Sequence, residues 1–77
     1  MEYKRFGNKY LVRLERGEEI VESIKKLAVD EKIRLGRVTG IGAVNKVKVG
    51  LFKAEEKKYY SKEFEGDMEI VNLSGNI

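Results

Sequence analysis

Only one stretch of this 77-residue chain has the apolar periodicity of a helix, and this feature limits the possible folds most. Within residues 18–32 the apolar side chains recur at three- and four-residue intervals, at Ile20, Val21, Ile24, Leu27 and Ala28. Glutamates dominate the first turns and lysines the later ones, an order that the helix dipole favours. We therefore predict one amphipathic helix, with Gly17 just before it. One helix covers one face of a sheet and no more.

The other segments have the alternating pattern of β-strands. Strands are predicted over residues 9–15, 35–44, 46–52, 58–65 and 68–77. A polar hairpin connection is expected at residues 54–58 and a second turn at Gly66-Asp67. Together these patterns predict a single α/β domain of the α+β type, residues 1–77, with a largely antiparallel sheet of about five strands and one helix.

Two of these strands have apolar residues on both faces, which is typical of strands buried on both sides. These are residues 38–44 and 68–73. The single helix can cover one side only, so the second cover must come from outside this chain. Ser74-Gly75-Asn76 is a turn signal with Ile77 beyond it, as if another strand were starting. We expect the sequence to be incomplete relative to its fold, and to form an oligomer or join a complementary chain.

Neither cysteine nor histidine occurs in the sequence. This excludes disulfides and thiolate nucleophiles, and it removes the commonest general base and the commonest metal ligand. No base is available to activate Ser23, Ser61 or Ser74, and no pair of carboxylates stands out by its spacing. We therefore assign no catalytic residue and no metal ligand to this chain, and we do not favour an enzyme.

The composition says more about habitat than about function. Glutamine is absent, while lysine and glutamate supply eleven residues each, a bias typical of heat-adapted organisms. No apolar run approaches the ~20 residues that span a bilayer, and the N-terminus lacks a signal-peptide pattern, so we expect a cytoplasmic protein. The net charge of +3 is mild and well mixed with acidic residues.

Gly40 and Gly42 lie between two valine-rich runs and allow two interpretations. A dinucleotide-binding loop would need a third glycine and a helix after it, but here an alternating β pattern follows. Glycines in strands instead permit a bulge, a bend or close approach of another element. We favour the second interpretation and expect another protein segment, from outside this chain, to pack against them.

Lysines and tyrosines alternate over the second half of the chain, and this pattern also has two interpretations. A basic surface with aromatic side chains could bind nucleic acid, with lysines on phosphates and tyrosines on bases. The candidate contacts are Lys46, Lys48, Lys58, Tyr60 and Lys62. Glutamates occur in the same segments, however, so ordinary Lys–Glu pairing on a solvated face is the simpler interpretation.

Taken in order, several segments resemble the first part of the plant and prokaryote conserved domain, the PPC domain. The segments are residues 11–14, 17–18, 40–44, 49–52, 59–60 and 68–77. Each is a weak motif alone, but their order and spacing cover nearly the whole chain. The resemblance implies an α/β domain with a largely antiparallel sheet, assembled as a homotrimer.

What the resemblance implies about function differs between plant and prokaryotic members. Plant members follow an AT-hook that binds AT-rich DNA, and their PPC domain mediates self-assembly and contacts to transcription factors. Stand-alone prokaryotic members are regarded as DNA-binding proteins. The plant contact motif Gly-Arg-Phe-Glu-Ile-Leu aligns with residues 66–71, which makes Gly66, Glu69 and Ile70 a candidate protein contact. Asp67 and Met68 replace its arginine and phenylalanine.

Two family features have no counterpart in this sequence. An AT-hook needs proline, which is absent. The later half of the family carries a histidine-containing strand that resembles a metal site in some prokaryotic members, so a metal would need residues from outside this chain. Our leading hypothesis is a DNA-binding or gene-regulatory assembly module of the stand-alone prokaryotic type. The alternatives are a small-molecule or metal-dependent binding module or enzyme with its pocket between subunits, and a structural fragment of a larger assembly.

Overall fold

The computed structural model describes residues 1–77 and contains four strands and one helix. The elements follow in the order β1 (Glu2–Phe6), β2 (Lys9–Arg13), α1 (Ile20–Asp30), β3 (Arg37–Lys53) and β4 (Lys58–Asn76). The strands form two separate two-stranded sheets, β1–β2 and β3–β4. The fold is therefore of the α+β type as predicted, but the expectation of about five strands in one sheet is wrong. Two compact units divide the chain: residues 1–36 with 76–77, and residues 37–75.

The first unit begins with a tight antiparallel hairpin. Its register pairs Glu2 with Arg13 and Phe6 with Lys9. Gly7 has φ of +62°, the conformation that a type II′ turn requires at its first central residue. We did not predict β1 from the sequence, although Gly7-Asn8 is one of the two-residue pairs favoured in such turns.

The predicted helix is confirmed and lies in this first unit. Gly17 has φ of +94° just before it, and the Glu19 side chain caps the helix by accepting a hydrogen bond from the backbone N–H of Glu22. Leu27 is 3% exposed and is the one buried side chain of the molecule. Half-buried apolar residues extend this small core at Tyr10, Val12, Leu14, Ile20, Ile24, Ala28 and Ile33. At 11 residues, α1 has neither the length nor the apolar character to cross a membrane.

The second unit is one long hairpin, because segments predicted as separate strands are continuous. β3 has 17 residues and β4 has 19. The connection between them is confirmed: residues 54–57 form a turn in which the N–H of Glu56 donates to the carbonyl of Lys53 over 3.2 Å. The predicted turns at Gly66-Asp67 and at Ser74-Gly75-Asn76 are wrong, since both lie inside β4. Gly66 has φ of +122°, and a positive φ within a strand is typical of a β-bulge, which bends a strand without ending it.

Burial in the second unit is confined to the end of the hairpin away from the turn. The half-buried residues are Val38, Gly40, Val44, Val47, Met68, Ile70 and Leu73. No side chain of this unit is fully buried, and every residue from 48 to 67 is exposed. The turn half of the hairpin is therefore held together by strand pairing and cross-strand contacts rather than by a core.

Candidate nucleic-acid interface

The turn half of the β3–β4 hairpin has two chemically different faces, because successive side chains of a strand point to opposite sides. On one face, Lys46 Nζ lies 3.3 Å from Glu63 Oε1, and the Tyr59 ring occupies the space that a Cβ on Gly50 would take. These contacts place the even-numbered residues of β3 beside the odd-numbered residues of β4. We call this surface the ion-paired face; it comprises Lys46, Lys48, Gly50, Phe52, Tyr59, Ser61, Glu63 and Glu65.

The opposite surface combines lysines with aromatic and aliphatic side chains and contains no carboxylate on its strands. Lys53 Nζ of β3 lies 5.1 Å from the ring centre of Tyr60 on β4, which joins the odd-numbered residues of β3 to the even-numbered residues of β4. We call this surface the lysine–aromatic face; it comprises Val47, Val49, Leu51, Lys53, Lys58, Tyr60, Lys62 and Phe64. The charges on its strands are therefore all positive, and the carboxylate of Glu56 in the turn contacts one end of the face at Tyr60.

Two ammonium groups of this face lie over the Tyr60 ring. In addition to Lys53, Lys58 Nζ lies 5.3 Å from its ring centre. The Tyr60 hydroxyl donates a hydrogen bond to the carboxylate of Glu56 in the turn. This bond, with a smaller contribution from desolvation, raises the pKa of Tyr60 above its ordinary value of 10.0. The ring is thus held in place by the turn and remains uncharged at neutral pH.

Phe64 forms the second aromatic position. Lys62 Nζ lies 5.2 Å from its ring centre. The Tyr60 and Phe64 side chains remain open to solvent, at 42% and 43% exposure. Cation–π contacts of exposed side chains are worth roughly 0.5–1 kcal/mol, enough to bias the lysine rotamers while leaving the ammonium groups free to bind an anion.

The five candidate contacts from the sequence lie on two different faces. Lys58, Tyr60 and Lys62 share the lysine–aromatic face. Lys46 and Lys48 lie on the ion-paired face, where Lys46 is matched with Glu63. Exposed ion pairs contribute only ~0–1 kcal/mol, but the nearby carboxylate reduces the attraction of this face for a polyanion. The structure therefore places on two faces the five candidate contacts that the sequence analysis had assigned to one surface.

Comparison with known proteins identifies the family. The family model of the Plants and Prokaryotes Conserved (PCC) domain, the domain that the sequence resembles, matches residues 1–77. The chain belongs to the PCC domain family. A crystal structure described as that of a "putative DNA binding protein" from Bacteroides thetaiotaomicron matches this PCC chain with a TM-score of 0.91 and 37% sequence identity. The match covers 97% of this chain and 52% of the other, so the chain spans about half the length of that neighbour. A search of curated proteins finds no match.

The two conspicuous glycines of this PCC chain lie in the half-buried end of the β3–β4 hairpin. A Cβ on Gly40 would lie 2.9 Å from Leu73 Cδ2, so β4 of the same chain packs against Gly40. Gly42 has φ of +147°, and a Cβ there would lie 4.0 Å from Ile70 Cδ1. Gly40 therefore makes room for a side chain of its own hairpin, and no phosphate-binding loop is formed.

The candidate protein contact of the PCC chain is only partly accessible. Gly66 and Glu69 are exposed, whereas Ile70 is half-buried near Gly42. Two aliphatic side chains close to this motif are far more open: Ile41 is 96% exposed and Val71 is 98% exposed. They lie on the paired strands β3 and β4, where such exposed aliphatic side chains are candidates for a protein contact.

Several residues of the lysine–aromatic face were absent from the candidate contacts predicted from sequence. Phe64 is the clearest example, because its ring makes a cation–π contact with Lys62 on this face. The alternation of Lys58, Tyr60, Lys62 and Phe64 along β4 was the available signal. No group of three or more acidic, histidine or cysteine side chains is arranged to hold a metal ion.

Proposed function

We propose that this chain is a DNA-binding, gene-regulatory assembly module that works as a homo-oligomer, with a trimer as the expected state. The lysine–aromatic face is the observation that carries the DNA-binding part of this proposal. It presents three lysines and two open aromatic rings without a carboxylate on its strands. Family membership and the neighbour's description support the same function. DNA as the ligand is consistent with the cytoplasmic location expected from the sequence.

Electrostatics predicts how such binding should behave. Each lysine that neutralises a phosphate releases condensed counterions, so affinity falls as salt rises, with a slope of about 0.9 per contact on duplex DNA and about 0.7 on single strands. The net charge of +3 is spread over the whole chain. The salt dependence of DNA affinity must therefore come from the positions of particular lysines rather than from their total number. A binding site confined to one face should therefore depend on three particular lysines.

The test is fluorescence anisotropy with labelled DNA between about 50 and 200 mM salt. The variant Lys53→Ala/Lys58→Ala/Lys62→Ala should bind more weakly and reduce the salt slope by about two to three. The control variant Lys9→Ala/Lys25→Ala/Lys26→Ala removes the same charge from the first unit and should keep most of the slope. Equal losses in the two variants, or binding that salt does not weaken, would contradict the proposal.

The assembly part of the proposal is supported by the exposure of Ile41 and Val71. Burying two such side chains in a subunit contact would contribute roughly 1.5–3 kcal/mol each. A two-stranded hairpin without a core gains the most from such a contact, since isolated hairpins are marginal in water. Sedimentation velocity should show an oligomer, and a well-folded monomer at all concentrations would argue against it.

A further inference from the structure

We propose that the lysine–aromatic face binds single-stranded nucleic acid by stacking unpaired bases on Tyr60 and Phe64. This inference rests on the proposed DNA-binding function and specifies the form of the ligand. The two rings project from the same side of β4 and are four residues apart, which is about 13 Å along a strand at ~3.3 Å per residue. Both rings are open to solvent and can accept the flat face of a base.

The lysines of the face lie over the two rings on which bases would stack. Each of the three ammonium groups is 5.1–5.3 Å from the centre of one of the two rings. A base that stacks on Tyr60 or Phe64 displaces an ammonium group from the ring, and the long, flexible lysine side chain can then pair with a phosphate of the same strand. Val49 and Leu51, on the neighbouring strand, complete the face with apolar surface that sugars and base edges can cover.

The other face of the hairpin argues against insertion into a duplex groove. A two-stranded ribbon fits the major groove, but it then meets phosphates on both sides. Here the second side carries Glu63 and Glu65, and the turn carries Glu55 and Glu56, so two parts of an inserted ribbon would place carboxylates near DNA phosphates. A strand lying on the lysine–aromatic face avoids Glu63 and Glu65, although it still passes the Glu56 carboxylate that is bonded to Tyr60.

Lysine is the one polar side chain of the lysine–aromatic face that commonly reads base edges in the major groove. Lysine contacts the O6 and N7 atoms of guanine, but the arginine, asparagine and glutamine side chains that make the other common contacts to purine edges are absent from this face. Aromatic stacking is instead available only when the base faces are free, as in a single strand, and every base offers such a face. The site should therefore prefer single strands to duplexes and tolerate many sequences.

The first experiment needs no variant. A labelled oligothymidylate and a labelled duplex of the same length are titrated with the unaltered chain at two salt concentrations. Tighter binding of the single strand, with quenching of tyrosine fluorescence on binding, is expected. Preference for the duplex would overturn the inference and leave DNA binding in place. Failure to bind either form would overturn both proposals.

The second experiment assigns the site to one face. Tyr60→Ala and Phe64→Ala should each weaken single-strand binding about tenfold, within a range of about 5- to 150-fold for loss of one stacked base. Tyr59→Ala is the matched control, because Tyr59 is adjacent in sequence and exposed but lies on the ion-paired face. Tyr60→Phe should retain binding, since it keeps the ring.

Two outcomes of the second experiment would overturn the inference. Equal effects of Tyr59→Ala and Tyr60→Ala would show that no single face stacks the bases. Dissociation of an oligomer by Tyr60→Ala/Phe64→Ala would show instead that the face belongs to a subunit contact. Circular dichroism of each variant checks that the hairpin is intact, which we expect because neither ring is buried.

Discussion

The two compact units of this chain have similar apolar patterns but bury their apolar side chains to different extents. The first unit buries Leu27 to 3% exposure and surrounds it with half-buried residues. The second unit buries no side chain fully and leaves Ile41 and Val71 almost completely open. The first unit differs in containing the helix, whose apolar stripe includes Leu27. A two-stranded hairpin alone has no second layer, so its apolar side chains need cover from elsewhere.

The strongest test of this difference is to truncate one apolar side chain in each unit. Leu27→Ala should lower the free energy of unfolding of the first unit by about 2–5 kcal/mol, because it leaves a cavity in the single buried position. Val49→Ala removes an aliphatic side chain from the exposed half of the hairpin and should change the free energy of unfolding by less than about 0.5 kcal/mol. Urea unfolding followed by circular dichroism measures both. Similar costs for the two variants would show that the second unit has a core of its own.

A smaller effect, on subunit association, is expected when the exposed aliphatic side chains of the second unit are replaced by polar ones. Ile41→Thr and Val71→Thr keep the β-branched shape, so the hairpin should retain its stability in the isolated chain. Association should weaken by about tenfold or more per substitution if these side chains are buried between subunits, since each contributes roughly 1.5–3 kcal/mol there. Sedimentation velocity over a concentration series measures this change.

The control for these variants comes from the first unit. Leu11→Thr alters a side chain that is also exposed, at 70%, but that lies on the β1–β2 hairpin. It should leave association unchanged. If Leu11→Thr dissociates the oligomer and the two hairpin variants do not, the subunit contact lies on the first unit.

The smallest expected effect concerns a charge contact that belongs to the first unit alone. The N-terminal ammonium of Met1 lies 2.6 Å from Glu18 Oε1, and Glu18 also accepts from the backbone N–H of Glu15. These bonds, the ammonium first, lower the pKa of Glu18 below its ordinary value of 4.5, although desolvation opposes them. The folded state therefore favours the ionised form. The resulting stabilisation is complete above pH 4.5 and is lost as the pH falls through the lower folded pKa.

Thermal unfolding between neutral and acid pH tests this contact. Glu18→Gln should lower the melting temperature slightly at neutral pH and should reduce the further loss on acidification. Glu22→Gln is the charge-matched control, since Glu22 pairs with Lys25 on the helix surface over 3.6 Å. An unchanged acid profile in Glu18→Gln would show that the contact with Met1 does not contribute.

The sequence predicted the features that depend on local periodicity. The helix follows from one apolar stripe, and the turn at residues 54–57 follows from a polar break between alternating runs. β1 was missed because a short exposed strand has little apolar pattern. The prediction of a second turn at Gly66-Asp67 was wrong because a glycine can either reverse the chain or form a bulge within a strand. Which of these occurs depends on pairing with β3.

The candidate site illustrates the same limit. The alternation of Lys46 and Lys48 with Val47 and Val49 correctly separates the two sides of β3. Tyr60 can share a face either with Val47 and Val49 of β3 or with Lys46 and Lys48. Which of these occurs depends on the cross-strand register, which the turn sets. Sequence alone therefore merged lysines from both faces into one surface. The contacts of Lys46 with Glu63 and of Lys53 with Tyr60 separate them.

The β3–β4 sheet consists of only two strands, so each of them is an edge strand. The hairpin therefore has two long backbone edges, of 17 and 19 residues, whose N–H and C=O groups can form hydrogen bonds with a further strand. Lysines spaced along both strands limit indiscriminate pairing with other chains, as edge lysines commonly do. A partner that adds a strand in the right register would extend this hairpin into a wider sheet, whereas an incorrect partner would start an aggregate.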